Sequence, residues 1–145
     1  MALDAFRATL RGLSGVNVQV EPVNADAERD GLLRTDLQND VEMALRQAGF
    51  DVVTQSQLFA VIPGTPVLHL DVMTARFRGR YAYSIRLDLW QAARLVRDPT
   101  VQTLAATWCA SQLIGTVAAD SLFTLRDTVR STVDEFVRDS RAAAA

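Results

Sequence analysis

Apolar and polar residues alternate with period two in some stretches and near 3.6 in others, and these rhythms lay out the elements. Ala5, Phe6, Thr9, Leu10 and Leu13 fall near helical spacing, with Gly12 and Gly15 as stops, so residues 1–14 read as a short amino-terminal helix or extension. Val16-Asn17-Val18-Gln19-Val20-Glu21 alternates strictly with β-branched residues on one side, which predicts a half-buried strand. Pro22 to Gly31 is a polar loop. The sharpest helical stripe follows: Leu37, Val41, Ala44, Leu45 and Ala48. Thr35 and Gln38 have capping-box spacing at its start. Gly49 suits the left-handed residue after its last turn, with Phe50 packing back. Asp51–Thr54 then reads as a short strand. Strand, helix and strand form a βαβ unit with a right-handed crossover if the strands are parallel.

Gln55 to Pro66 is a loop whose apolar centre, Leu58 to Ile62, is expected to pack against the core edge. From Val67 the period is two, with Leu68, Leu70 and Val72 against His69, Asp71 and Met73. Beyond Thr74 the apolar parity moves to Ala75 and Phe77, which predicts a bulge near Met73-Thr74. Arg78-Gly79-Arg80 is a hairpin turn. The return strand sends Tyr81, Tyr83, Ile85, Leu87 and Leu89 one way and Ala82, Ser84, Arg86, Asp88 and Trp90 the other. Val101 to Ser111 reads as a third long strand, with Leu104, Ala106 and Trp108 sharing a face opposite Thr103, Thr107 and Cys109. Gly115 marks its end or a kink. A closing helix, capped by Asp120 or Ser121, carries Leu122, Leu125, Val129, Thr132, Val133 and Phe136 as its stripe. The predicted fold is α+β, a two-layer sandwich. Its mostly antiparallel sheet opens with a βαβ unit, helices pack on one face, and the other face is partly polar. Residues 1–145 form a single domain, with a frayed helix end at 141–145.

Composition narrows the function. The formal net charge of −2 marks neither a nucleic-acid binder nor a polybasic membrane protein. One Cys and one His exclude a disulfide framework and a Cys/His zinc site within the chain. Every basic side chain is Arg, which removes a Schiff-base or phosphate-loop lysine. No nucleotide, nucleophile-elbow or metalloprotease motif occurs, so no cofactor or metal is expected. No run approaches the ~18 apolar residues of a spanning helix. Asp4 and Arg7 break any signal-like core in residues 1–13, so an envelope address is expected only if a signal peptide was removed.

The remaining chemistry is sparse. His69 and Asp71 share a strand face and can make an acid–base couple if Ser84 or Thr107 supplies a hydroxyl. The plainer reading, a polar outer sheet face, is adopted. Cys109 reads as a small packing residue, and the pairs Asp36/Asp40 and Asp134/Asp139 as solvated helix carboxylates. Arginine is the strongest polar feature: Arg76, Arg78 and Arg80 near the hairpin tip and Arg86 on the return strand suit anions. Trp90 interrupts the polar side of its strand and suits an interface anchor.

The succession VNVQV, LRQAGF, LHLDV, YSIRLDLWQ, ATW and RSTVDEFV, from Gly15 to about Asp139, resembles uncharacterised α+β domains of the bacterial envelope. Their layout is similar to that of the amino-terminal domain of the Tol-system propeller protein and of auxiliary lipoproteins of lipid-handling ABC transporters. The resemblance implies a non-enzymatic periplasmic role in protein–protein contact, with no functional residue carried over. No lipobox cysteine is present. The expected function is thus a non-catalytic interaction domain of the cell envelope. It binds a protein partner or itself around Arg76, Arg78, Arg86 and Trp90, or through an unpaired edge strand, and takes no small-molecule substrate. The alternative is an arginine-mediated anion or nucleic-acid module, and a small hydrolase ranks third.

Overall fold

The computed structural model describes residues 2–57 and 63–144; the expected packing of Leu58–Ile62 lies outside the described residues. The order is α1 (Ala2–Ala8), β1 (Gly15–Val20), α2 (Ala25–Arg29), α3 (Arg34–Gln47), β2 (Asp51–Val52), β3 (Val67–Phe77), β4 (Arg80–Arg94), β5 (Gln102–Cys109), β6 (Leu113–Ala118), a 3₁₀ turn (Ala119–Thr124) and α4 (Leu125–Ala144). The result is an α+β two-layer sandwich with a largely antiparallel, slightly mixed sheet. The sheet runs β2-β1-β3-β4-β5, and β6 also pairs with β4. β1 is parallel to both β2 and β3, and the other pairs are antiparallel. β4 is long enough that β5 lies against its second half and β6 against its first.

The core lies between sheet and helices. Val16, Val18 and Val20, Leu68, Leu70 and Val72, and Ile85, Leu87 and Leu89 face α3 and α4. The helices answer with Leu37, Val41 and Leu45 from α3 and Leu125, Val129, Val133 and Phe136 from α4. Phe136 sits between Phe50 and Trp108, with ring centroids 5.4 and 5.2 Å away. α3 and α4 are clamped by Arg126, whose Nε and Nη2 donate to the two oxygens of Asp40 at 2.7 and 2.9 Å. Asp40 and Asp36 therefore serve an interhelix ion pair rather than a solvated face. The fork geometry holds the Asp40 carboxyl below the usual carboxylate range.

Local sequence rules were overridden at four places. First, α3 has Leu33 at its N-cap, with no side-chain cap. Gln38 instead donates to the Val18 carbonyl at 2.9 Å, and Arg34 donates to that of Val20. β2 ends at Val52, so these β1 carbonyls have no strand beside them, and satisfying a sheet edge takes precedence over the cap. Second, β3 keeps one register from Val67 to Phe77, with no bulge at Met73-Thr74. Thr74 continues the buried side, and Phe77 projects into solvent.

Third, the irregularity falls opposite Leu89/Trp90, where Leu89 faces Trp108 and Trp90 faces Ala106. Thr107 is the extra residue, a bulge that puts Trp108 in the core and Ala106 and Leu104 on the opposite face. Fourth, Gly115 sits inside a strand, β6, that periodicity did not reveal. A Cβ there would lie 2.7 Å from Tyr83 Oη, so glycine admits the aromatic ring of the neighbouring strand. The 3₁₀ turn, rather than a capped α-helical start, leads into α4. α4 runs to Ala144, with Ala143 buried and its carbonyl accepting from Arg11 Nε.

Candidate functional site

Among the described residues, α1 to α4 cover one face of the sheet and leave the other uncovered, with Gln55 and Thr65 at its border. Strict alternation fixes which side chains reach it: Gln19 and Glu21 from the end of β1, Val67, His69, Asp71 and Met73 from β3, and the even-numbered residues of β4. The paired strands align these into rows. Val67, Trp90 and Ala106 form one; His69 faces Asp88; Asp71 faces Arg86; Met73, Ser84 and Ile114 form the next. The face is thus banded, with charge across its middle and apolar rows on both sides. A groove of about 440 Å³ lies on the Trp90 side, floored by Val67, Trp90 and Leu104 and edged by His69, Asp71, Arg86 and Asp88.

Exposure separates this face from an ordinary polar surface. Trp90 is 39% exposed, Met73 59% and Ile114 75%. The charged band is internally paired: Glu21 Oε1 lies 2.7 Å from His69 Nε2, and Arg86 Nη2 lies 3.4 Å from Asp88 Oδ2. Asp88 is buried although it points outward.

The residues singled out from sequence divide between places. Arg86 and Trp90 share the open face. Arg76 has the opposite parity and reaches Asp30 at 3.4 Å. Arg78 occupies the two-residue hairpin turn at φ 51°, its guanidinium 5.1 Å from the Phe77 ring centroid. Arg80 donates to Thr116 Oγ1 at 3.3 Å. The arginines do not converge on one anion-sized point.

His69 pairs with Glu21 rather than Asp71. Ser84 is four residues along the strand from the Asp88 that faces His69, roughly 13 Å away, and accepts a hydrogen bond from Gln112. Thr107 Oγ1 accepts from Gln91. No hydroxyl nucleophile named from sequence stands beside the imidazole. Cys109 is exposed at the end of β5. Among the described residues, no group of three or more His, Cys, Asp or Glu can hold a metal.

Other polar groups brace the fold. Asp139 accepts from Trp108 Nε1 at 3.0 Å and forms an ion pair with Arg7 at 3.3 Å, which ties β5 and α1 to α4. The Tyr81 hydroxyl donates to Asp30, and burial, reinforced by that carboxylate, pushes its pKa up to about 12. The alternation of β3 already set Met73 on the polar side with His69 and Asp71, where it is exposed; Ile114 was missed as a surface feature because β6 was not foreseen.

These features define an α+β sandwich with a helix-covered face and an open, banded sheet face. Among the described residues no helix is long and apolar enough to cross a membrane. No family model matches the chain, and no curated protein does. Among solved structures, the chain is similar in fold to PelC from Paraburkholderia phytofirmans, a variant of which was solved as a dodecamer. The TM-score is 0.50 at 16% sequence identity, with 93% of this chain and 92% of that chain covered.

Proposed function

We propose that the chain is a non-catalytic protein-interaction domain of the bacterial cell envelope, working through its open sheet face. One observation carries this reading: the sheet face that α1 to α4 leave uncovered among the described residues places Trp90 and Arg86 in the lining of one groove. A partly exposed aromatic that shares a groove with a guanidinium, rimmed by polar groups, has the anatomy of a protein-contact hot spot. The resemblance of the strand and helix sequences to envelope domains supports the location. The likeness to a protein solved as a dodecamer supports a role in assembly.

The test has two parts. Fractionation of the source cells, with the mass of the endogenous chain, should find it in the periplasm or envelope with a processed amino terminus. Crosslinking in those fractions should trap a complex that Trp90→Ala loses while the variant keeps its fold. A cytosolic chain, or a complex indifferent to Trp90→Ala, contradicts the reading.

A further inference from the structure

We propose that the open face docks a second copy of this chain, sheet against sheet around a two-fold axis; this rests on the interaction reading above and names the partner. The pattern of side chains on the face points to this partner. Along β4 the outward side chains run Arg94, Ala92, Trp90, Asp88, Arg86, Ser84, Ala82, Arg80. A two-fold axis lying in the interface, perpendicular to the strands and level with Leu87, reverses that order in the second copy. β3 then lies over β3, β4 over β4, and β5 over β6.

In this register large side chains meet small ones. Trp90 falls on Ser84 of the second copy, between the exposed Met73 and Ile114 that flank it. Ala106 falls on Ile114, Val67 on Met73 and Ala92 on Ala82. In the charged band Asp88 meets Arg86 and His69 meets Asp71, so unlike partners face one another twice. The centre of the face is thus self-complementary in volume and charge, as a two-fold interface requires; like charges meet only at the two ends of β4, where Arg94 falls on Arg80 and lies seven residues from the axis, at the rim.

The area suffices. Four strands spaced ~4.8 Å apart and about ten residues long at ~3.3 Å each give roughly 600 Å² per copy, about 1,200 Å² in total. That is the lower end of a stable, specific interface of ~1,200–2,000 Å². Because the contact is isologous it closes at two copies, and any larger assembly needs a second surface.

The test is sedimentation velocity of the full chain across a concentration series, with circular dichroism to confirm folding. The wild type should dimerise. Trp90→Glu at one end and Ile114→Glu at the other should each weaken the dimer at least ~30-fold. Arg86→Asp puts carboxylate against carboxylate, and Asp88→Arg puts guanidinium against guanidinium, so neither variant should self-associate. Mixed one to one, the two should form a heterodimer, because each supplies the charge the other lacks; repair of an intramolecular contact cannot produce that rescue. A wild type that stays monomeric overturns the proposal and leaves binding to another protein as the surviving role. A dimer unmoved by all four variants places the contact elsewhere. Single variants that dissociate without rescue on mixing overturn the register.

Discussion

The two faces of one sheet divide the work. The covered face is Val, Leu and Ile packed on α3 and α4, with Tyr81 and Trp108 each handing its polar atom to a carboxylate. The open face is built from the same strands by the alternate residues, and it keeps Met73, Trp90 and Ile114 in solvent. The covered face stabilises the monomer. The open face has little to lose on substitution within the monomer, and its side chains are those a partner would bury.

Substitutions can sharpen or break this contrast. The largest effect is expected from Phe136→Ala, which empties the space between Phe50 and Trp108 and should cost about 3–5 kcal/mol in urea unfolding. Arg126→Ala comes next, at about 1–2 kcal/mol, because it leaves Asp40 unpaired between the helices while part of the guanidinium is already solvated. This pair also predicts a pH dependence. The Asp40 carboxyl titrates lower in the folded chain than in the unfolded one, so its contribution is complete above the ordinary carboxylate range. It is lost as pH falls through the folded value. Thermal melts in acid should show that loss in the wild type, and a shallower one in Arg126→Ala.

Tyr81→Phe should cost about 1 kcal/mol at neutral pH. At high pH the sign differs. The folded tyrosine holds its proton to about 12 while the unfolded one releases it near 10.0. Wild-type stability should therefore fall across that window, and the variant should escape this part of the fall. The smallest effect is expected from Met73→Gln and Ile114→Thr on the open face, within about 0.5 kcal/mol for the monomer. A loss of 2 kcal/mol or more at either position would mean that the open face also holds the monomer together, and the division of labour would fail.

Much of the covered face was legible in sequence, because burial on one side of a strand or helix writes a period. β1, α3 with its closing Gly49, the β3–β4 hairpin and the outward parity of Trp90 all follow from that rule. Two features of the strands beside β4 did not, for separate physical reasons. The Thr107 bulge leaves no compositional mark, so Leu104 and Ala106 were grouped with Trp108, from which the extra residue divides them. Gly115 usually signals a break, whereas here it makes room for Tyr83 inside β6. Cross-strand chemistry was hidden as well. Glu21 reaches His69 from the adjacent parallel strand, and Arg126 finds Asp40 from a helix 86 residues further on. Within-strand spacing cannot foresee either pair.

Two methionines of similar exposure allow the most direct test: Met73 lies on the open face and Met43 on α3, 59% and 56% exposed. Methionine oxidation of the full chain, read by mass spectrometry at low and high protein concentration, reports each side separately. The account predicts that Met73 becomes protected as the chain is concentrated while Met43 oxidises at an unchanged rate. Equal oxidation of the two at every concentration, or protection of Met43 alone, would contradict it.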